Sequence, residues 1–318
     1  MTLSLIVPCY NEEKNVEPLL CACREAFSGL PGGFEMIFVN DGSRDNTWGV
    51  LSDLFDRYKD SVSLKLLNFS RNFGKEAAMF AGLKHASGTY TAILDADLQQ
   101  DPALVANMVD FLEKNPAYDV VAAYQEERIE GRMMSWYKKI FYKLVNRVCE
   151  VEFYAGASDF RTMRRSVVDA ILKMPEYHRF SKGIFSWVGF ETYYMPYVAN
   201  KRNAGKSAWT FKKLFKYAFE GFLSFTTFPL KIASVLGILS SLGSLIYLLI
   251  VVIQKLCFGI EIPGYATVVA LILLLGGLQL VILGVIGEYL ARVYIEGKHR
   301  PIYLLKGYLG NDTEDEAP

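Results

Sequence analysis

The sequence predicts an α/β protein in which a mostly parallel, doubly wound sheet is followed by two transmembrane helices. Two observations carry this prediction. Strand-like and helix-like segments alternate over roughly the first 125 residues, which is typical of a parallel sheet covered by helices. Two long apolar segments without charge then follow, in a chain of 318 residues that is 52% hydrophobic.

Five strands are predicted, each a short run of aliphatic and aromatic residues. They are Leu3–Val7, Phe34–Val39, Leu64–Phe69, Tyr90–Leu94 and Asp119–Ala123. The helices predicted between them cover residues 14–28, 45–59, 75–86 and 102–114. Pro102 suits the first turn of the last helix, because a proline there gives up no hydrogen bond.

Membrane spans are predicted at Ile232–Ile253 and Ile262–Gly287, because each segment exceeds the roughly 20 residues that cross a bilayer as a helix. Residues 254–261 between them are too few for a domain, so the spans form a hairpin. Basic residues flank its outer ends, whereas the loop carries only Lys255. Both termini are therefore expected in the cytosol. The alternative is a pair of buried core helices in a soluble protein.

Two further segments, residues 133–148 and 211–225, have the pattern of amphipathic helices rich in aromatic and basic residues. Such helices lie in the headgroup plane of a membrane, and the alternative is that they pack on the α/β domain. The predicted domains are an α/β domain over residues 1–228, the hairpin over 229–295, and a cytosolic tail over 296–318.

The composition disfavours several classes of protein. The chain has 34 Lys and Arg against 34 Asp and Glu, which gives no sign of a nucleic-acid partner. Five cysteines without C-x-x-C predict no disulfide framework, and three dispersed histidines predict no zinc site. No G-x-G-x-x-G follows the first strand, so dinucleotide binding is not expected. Ala204–Ser207 resembles the end of a P-loop, but Asn200 replaces its first glycine.

Polar clusters follow the first four predicted strands. They are Pro8–Glu13, Asn40–Ser43, Ser70–Lys75 and Asp95–Gln99. Each alone is a weak signal, since Asn-Asp-Gly-Ser is also a common turn and helix cap. Because ligands of such sheets bind beyond the carboxyl ends of the strands, the four clusters together predict a single site.

Asp95 and Asp97 are the candidate metal ligands in these clusters. Two carboxylates just past a buried strand can hold a hard divalent cation together with phosphate oxygens. Such a cation would neutralise the charge that develops on a diphosphate leaving group. The alternative is an ordinary capped loop.

The clusters resemble the motifs of GT-A-fold inverting glycosyltransferases of family 2. The motifs are Pro8-x-Tyr-Asn-Glu12, Asn40-Asp-Gly-Ser43, Asn72-Phe-Gly-Lys75 and Asp95-Ala-Asp-Leu-Gln99. Five more narrow the resemblance to polyprenyl-phosphate glycosyltransferases: Ser158-Asp-Phe-Arg161, Phe180-x-Lys-Gly183, Trp187-Val-Gly189, Thr227-Phe-Pro-Leu230 and Gly287-Glu-Tyr289. Bactoprenol glucosyltransferases are most similar, and dolichol-phosphate mannose synthases are more distant. The Q-x-x-R-W motif of polymer-making relatives does not occur, which favours a single transfer.

The resemblance implies a nucleotide-sugar site at the strand ends. It assigns Pro8, Tyr10, Glu12, Asp41, Gly74, Lys75 and Asp95 to the nucleotide, and Asp95, Asp97 and Gln99 to Mg²⁺ or Mn²⁺ and the diphosphate. Asp159 and Asp97 match the catalytic carboxylates. A lipid phosphate has a second pKa of about 6, so Asp159 is expected to orient the acceptor or the sugar, not to act as a strong base. The alternative is that Asp159 only pairs with Arg161.

The resemblance also implies a site for the acceptor phosphate at the membrane surface. The candidates are Arg128, Arg132, Ser135, Arg202 and Lys206. Relatives often have a lysine at the position of Ala208, so either Lys206 replaces it or Arg202 acts alone.

The expected activity is inverting, non-processive transfer of glucose from UDP-glucose to undecaprenyl phosphate, at the cytosolic face of a bacterial inner membrane. The alternative donors are UDP-GlcNAc, UDP-galactose, a UDP-aminoarabinose derivative and GDP-mannose. An alternative of another class is a membrane-docked nucleotide-sugar sensor without turnover. The resemblance implies a homo-oligomer, a tetramer in relatives, and Gly276 and Gly277 would allow close contact between helices.

Overall fold

The computed structural model describes residues 1–125, 157–200, 226–258 and 264–310, together with Asn146, Val151 and Tyr154. The chain divides into two units. The first contains Met1–Ser224 and Pro301–Pro318, and the second contains Phe225–Arg300. The two amphipathic helices predicted over 133–148 and 211–225 lie outside the described residues, apart from Asn146.

The first unit is built on an eight-stranded sheet. Its strands are β1 (Leu3–Cys9), β2 (Phe34–Asn40), β3 (Ser63–Phe69), β4 (Tyr90–Ile93), β5 (Val120–Gln125), β6 (Ala157–Arg164), β7 (Thr192–Tyr197) and β8 (Leu305–Gly310). They lie in the order β7-β5-β6-β4-β1-β2-β3-β8. Strand β6 is antiparallel to β4 and β5, β8 is antiparallel to β3, and the other pairs are parallel. The predicted mostly parallel sheet is therefore confirmed.

Six helices accompany this sheet in the described residues. They are α1 (Val16–Ala26), α2 (Thr47–Tyr58), α3 (Lys75–His85), α4 (Pro102–Lys114), α5 (Arg165–Leu172) and α6 (Ser181–Trp187). The first four helices and the first five strands agree with the sequence prediction to within a few residues. Asp101 caps α4 by accepting a hydrogen bond of 2.9 Å from the Ala103 amide, and Pro102 lies in the first turn as expected.

The core lies on both faces of the sheet, because alternate residues of each strand point to opposite sides. Met36 and Phe38 of β2 belong to a buried cluster that includes residues of α1, α2 and α4. Ile37 and Val39 of the same strand belong to a second cluster with the alanines of α3. Since both faces are covered, the open positions for a ligand are at the ends of the strands.

The second unit contains two long apolar helices, α7 (Phe228–Phe258) and α8 (Tyr265–Glu296). Within them, Phe228–Gln254 and Ala270–Glu296 have a mean hydropathy of 2.5, so both could cross a membrane by length and composition. Most of their described apolar side chains are exposed, which disfavours the alternative of buried core helices. The Tyr289 hydroxyl donates a hydrogen bond of 2.8 Å to the Thr226 carbonyl, within this unit.

The segment that follows the hairpin returns to the sheet of the first unit. Residues 296–318 are expected from the sequence to be a cytosolic tail, and β8 within them was not predicted. In the structure, Leu305 lies opposite Phe69 and Tyr308 opposite Leu67 of β3. Residues 311–318 lie outside the described part of the chain.

Candidate active site

The loops that follow β1 and β2 are joined by hydrogen bonds at the carboxyl ends of these strands. The Asp41 amide donates to the Cys9 carbonyl at 2.9 Å, and the Asn11 amide donates to the Ser43 hydroxyl at 3.0 Å. The Arg44 amide donates to the Asn11 side-chain oxygen at 2.8 Å. Asn11 has a φ of 58°, in the left-handed region that asparagine tolerates better than most residues. The first two predicted clusters therefore form one framework.

Three nucleotide-site candidates lie at the start of this framework. Pro8 is within β1, and Tyr10 follows the strand with 38% of its surface exposed. The Glu12 amide donates to the Thr47 hydroxyl at 2.9 Å, and its carboxylate accepts a hydrogen bond of 2.6 Å from the Asn15 side chain. Tyr10 is thus available to a ligand, whereas the contacts of Glu12 hold the entry to α1 against α2.

Asp41 joins the second cluster to the loop after β3. Its carboxylate accepts hydrogen bonds from the Phe73 amide at 2.6 Å and the Gly74 amide at 2.9 Å. Burial raises the pKa of Asp41 to about 6, although these two hydrogen bonds and nearby Arg71 lower it. A carboxylate that is mostly ionised at pH 7, and that gains a proton as the pH falls through about 6, therefore holds the loop after β3 in place.

Gly42 allows this close approach, and the sequence analysis did not single it out. Its φ is 62°, where residues with a side chain are strained. A Cβ atom at this position would also collide with the backbone of Arg71 and Asn72. The available signal was the glycine directly after Asp41, in a cluster that was interpreted only by its polar side chains.

Lys75, the first residue of α3, joins the third cluster to Asp95 and Asp159. Its Nζ atom lies 2.7 Å from Oδ1 of Asp95 and 3.0 Å from Oδ2 of Asp159. Asp95 follows β4, and Asp159 belongs to β6, the antiparallel neighbour of β4. The pairing of β6 with β4 therefore brings Asp159 to the carboxyl ends of the parallel strands, where the four polar clusters lie.

The charges of this group stabilise one another. Burial would raise the pKa of Asp159, but Lys75 foremost, then Lys182, and also Arg161 lower it, and the result is below the usual value. Burial would lower the pKa of Lys75, but Asp95 and Asp159 raise it. At neutral pH the lysine is therefore cationic and Asp159 is anionic. Among the described residues, Oδ1 of Asp159 is buried without a hydrogen-bond partner.

Arg161 does not make the ion pair considered as the alternative role of Asp159. Its guanidinium donates a hydrogen bond of 2.9 Å to the Ser158 carbonyl and lies 3.6 Å from the centre of the Phe185 ring. Burial lowers its pKa to about 10 despite the nearby Asp159. In the described part of the chain, the ion-pair partner of Asp159 is Lys75.

The turn after β4 presents the candidate metal ligands. The Gln99 amide donates to Oδ1 of Asp97 at 3.2 Å, and the Gln100 side chain donates to Oδ2 of Asp95 at 3.2 Å. Leu98, between Asp97 and Gln99, has a φ of 60°, which is an unfavourable conformation for a leucine. Backbone strain of this kind persists only where the surrounding contacts impose it, and it is common in functional loops.

The fit of these residues to a divalent cation depends on how many ligands the protein must supply. No group of three His, Cys, Asp or Glu side chains that could hold a metal occurs among the described residues. Magnesium and manganese accept oxygen ligands, and magnesium in phosphate sites commonly takes one or two carboxylates and obtains the rest from phosphates and water. Asp95 and Asp97 fit that second kind of site.

Five residues were predicted to bind the acceptor phosphate. Arg128, Arg132, Ser135, Arg202 and Lys206 all lie outside the described residues. The structure therefore brings together the predicted clusters after β1 to β4 and Asp159, and the acceptor residues stay a prediction.

The sheet, its strand-end loops and the apolar hairpin define a GT-A glycosyltransferase domain followed by two helices that could span a membrane. The profile of glycosyl transferase family 2 matches residues 4–172, and that of the GtrB C-terminal hairpin matches residues 228–293. The chain belongs to glycosyltransferase family 2.

Relatives match over nearly the whole chain. An uncharacterized glycosyltransferase of Synechocystis is 42% identical, over 97% of this chain and 96% of its own. The bactoprenol glucosyl transferase of Shigella phage SfV is 39% identical, over 96% of this chain and 98% of its own. Among solved structures, mannosyl-3-phosphoglycerate synthase from Rubrobacter xylanophilus is 17% identical with a TM-score of 0.48, over 69% of this chain and 71% of its own. The predicted resemblance to bactoprenol glucosyltransferases is confirmed.

Proposed function

We propose that this glycosyltransferase moves glucose from UDP-glucose to a polyprenyl phosphate, undecaprenyl phosphate in a bacterial membrane, with inversion at the sugar carbon. The contact of Lys75 with both Asp95 and Asp159 is the observation that carries the proposal. It joins the loop expected to bind the diphosphate to the carboxylate expected beside the reacting sugar. The relatives named bactoprenol glucosyl transferase support the lipid acceptor and the choice of glucose.

The acceptor in this reaction needs little activation. The second pKa of a phosphate monoester is about 6, so its oxygen is already a nucleophile at pH 7. In a single displacement, that oxygen forms a bond to the anomeric carbon as the bond to UDP breaks, which inverts the configuration. Asp159, anionic beside Lys75, would orient the sugar or the acceptor, and positioning would supply much of the rate.

The leaving diphosphate is the other centre of charge. Asp95, Asp97 and Gln99 would hold Mg²⁺ or Mn²⁺, and such a cation supplies charge neutralisation for the departing phosphates. Asp41 and the amides of Phe73 and Gly74 would keep residues 70–74, the nucleotide loop, in one conformation before the donor binds. Tyr10, exposed at the end of β1, would contact the base or the ribose.

The hairpin would place this chemistry at a membrane. The chain passes from the first unit into α7, continues through α8, and returns to the first unit as β8. If both helices cross the bilayer, the chain crosses twice, so both ends of the hairpin lie on the same side. The basic residues that flank the hairpin favour the cytosol for that side.

A transfer assay tests the proposal directly. Purified protein in detergent is mixed with radiolabelled UDP-glucose, polyprenyl phosphate and MgCl₂, and lipid-linked label is separated by extraction. Parallel reactions contain UDP-GlcNAc, UDP-galactose, a UDP-aminoarabinose derivative or GDP-mannose. We expect label in lipid with UDP-glucose, dependent on the acceptor and abolished by chelation of the metal.

The outcomes separate the alternatives. Transfer only from another donor would replace glucose and retain the reaction. Binding of UDP-glucose without transfer or hydrolysis would favour a nucleotide-sugar sensor. Absence of lipid-linked label with every donor would refute the enzymatic proposal.

A further inference from the structure

The segment that follows the hairpin, just before β8, lies against the end of β3, which leads into the loop of residues 70–74. The ring of Tyr303 stacks on that of Phe69, with centroids 5.0 Å apart and planes inclined by 14°. One residue further on, the Ser70 amide donates a hydrogen bond of 2.9 Å to the Leu304 carbonyl. Residues 303 and 304 therefore fix both the side chain and the backbone at the point where β3 ends.

A short series of contacts leads from Phe69 to the candidate donor site. Phe69 meets Phe73 edge to face, with ring centroids 5.7 Å apart. The amides of Phe73 and Gly74 hold the Asp41 carboxylate, and Lys75 follows them with its bonds to the other two carboxylates. The aromatic stack thus supports one side of a loop whose other side binds Asp41.

The loop enters α3 through a glycine, which adopts positive φ freely, so the contacts around the loop fix its conformation. Gly74 has a φ of 99°, and the next residue begins α3. Phe73 also packs on the second hydrophobic cluster, to which Ile302, Tyr303, Leu305 and Tyr308 contribute from the segment after the hairpin. Residues 301–310 lie outside both matched profiles, which end at residues 172 and 293.

We propose that Tyr303 is a positioning residue of the donor site: its stack on Phe69 keeps residues 70–74 in the conformation that receives the nucleotide. This inference rests on the proposed function for the identity of the ligand. The segment after the hairpin then supports the nucleotide site, although it is distant in sequence from the loop that it holds.

Tyr308→Ala provides a matched control for Tyr303→Ala. Tyr308 lies on the same segment and packs on the same hydrophobic cluster, but its ring neighbour is His85, the last residue of α3, at 5.8 Å. Both variants remove the same side chain from the same layer. Only the first removes the aromatic stack on Phe69. Tyr303→Phe retains the ring and serves as the conservative variant.

The first measurement is affinity for UDP-glucose by calorimetry, on the full chain in detergent. We expect Tyr303→Ala to raise the dissociation constant about tenfold, as it would if the competent loop conformation fell to about a tenth of the population. The turnover number should stay within about twofold, since no group that touches the reacting atoms changes. Tyr303→Phe and Tyr308→Ala should bind UDP-glucose as the wild type does.

The second measurement reports on the loop without any ligand. Hydrogen exchange of peptides that cover residues 70–75 should become faster in Tyr303→Ala and stay unchanged in Tyr308→Ala. We expect this difference even though the two variants lose a similar amount of melting temperature.

These measurements separate the inference from the proposed function. If the wild type binds no nucleotide sugar, the proposed function fails, and hydrogen exchange alone decides whether Tyr303 positions the loop. If Tyr303→Ala changes neither loop exchange nor affinity, the inference is refuted while the transfer assay stands. Equal effects of Tyr303→Ala and Tyr308→Ala would also refute it, because they would indicate a general loss of packing.

Discussion

The Nζ atom of Lys75 lies 3.0 Å from Oδ2 of Asp159, although the two residues belong to different elements and are distant in sequence. Burial alone would favour the neutral carboxyl, and the lysine reverses this preference. The side chain expected next to the sugar is therefore charged and oriented before any substrate binds. Four predictions follow from this site, each measured on the full chain in detergent.

Replacement of Lys75 by methionine removes the cation and keeps the length of the side chain. We expect kcat/KM to fall by roughly 30-fold or more, equivalent to about 2 kcal/mol, because Asp95 and Asp159 lose their shared counter-charge. The pKa of Asp159 should rise as burial prevails, so the acidic limb of the rate profile moves to higher pH. Initial rates from pH 5 to 8 test both effects.

Two variants serve as controls for Lys75→Met. Lys75→Arg preserves the charge and should recover part of the activity. Lys114→Met removes an exposed lysine that pairs with Asp110 on α4, and it should have wild-type kinetics. Unchanged kcat/KM in Lys75→Met would contradict the assigned role of the lysine.

Asp97→Asn tests the cation site with little disturbance of the turn. The amide oxygen can still accept the hydrogen bond from the Gln99 backbone, so we expect a normal melting temperature. The lost charge should reduce metal-dependent turnover by at least about 100-fold, because a cation in such a site contributes several kcal/mol. Turnover is measured against MgCl₂ and MnCl₂ concentration, with Asp110→Asn as the exposed control. Full activity at low metal would remove Asp97 from the site.

The pKa of Asp41, raised to about 6 from an ordinary 3.8, predicts a specific dependence of stability on pH. Between these values the folded protein holds the Asp41 proton more tightly than the unfolded chain does. Ionisation of Asp41 therefore lowers the free energy of unfolding as the pH rises from about 4 to 6. We expect the melting temperature of the wild type, minus that of Asp41→Asn, to decrease over this interval and to level off near pH 7. An increase over the same interval would contradict the raised pKa.

Gly42→Ala should weaken the binding of UDP-glucose, although it adds only a methyl group. The new Cβ would meet the backbone of the loop after β3, at a residue whose φ is already unfavourable for alanine. We expect a loss of UDP-glucose affinity of roughly tenfold or more, since this loop and Asp41 must separate to admit the methyl group. Gly29→Ala is the control, because a Cβ there has no neighbouring atom within 4 Å among the described residues. Equal UDP-glucose affinity of Gly42→Ala and Gly29→Ala would show that binding does not require the close contact between Gly42 and the loop after β3.

Local patterns were sufficient to predict the first five strands and the four helices between them. Each of these elements has its own hydrophobic periodicity, and a buried strand is followed directly by its polar loop. Strands β6, β7 and β8 were not predicted, since their pairing depends on neighbours that are distant in the chain. Asp159 was identified through its motif, but its partner Lys75 was predicted only as a residue near the nucleotide.

The amino-acid sequence is sufficient to show that polar loops follow strands β1 to β4 and that two apolar helices come after the α/β domain. The alternation of strands and helices follows from the local hydrophobic pattern of each segment. In a parallel sheet this alternation places the loops together at the carboxyl ends of the strands. The antiparallel pairing of β6 with β4 and of β8 with β3 becomes visible only in the folded protein. These pairings join segments far apart in the chain. Their stability comes from backbone hydrogen bonds and buried side chains, which exist only after the sheet has assembled.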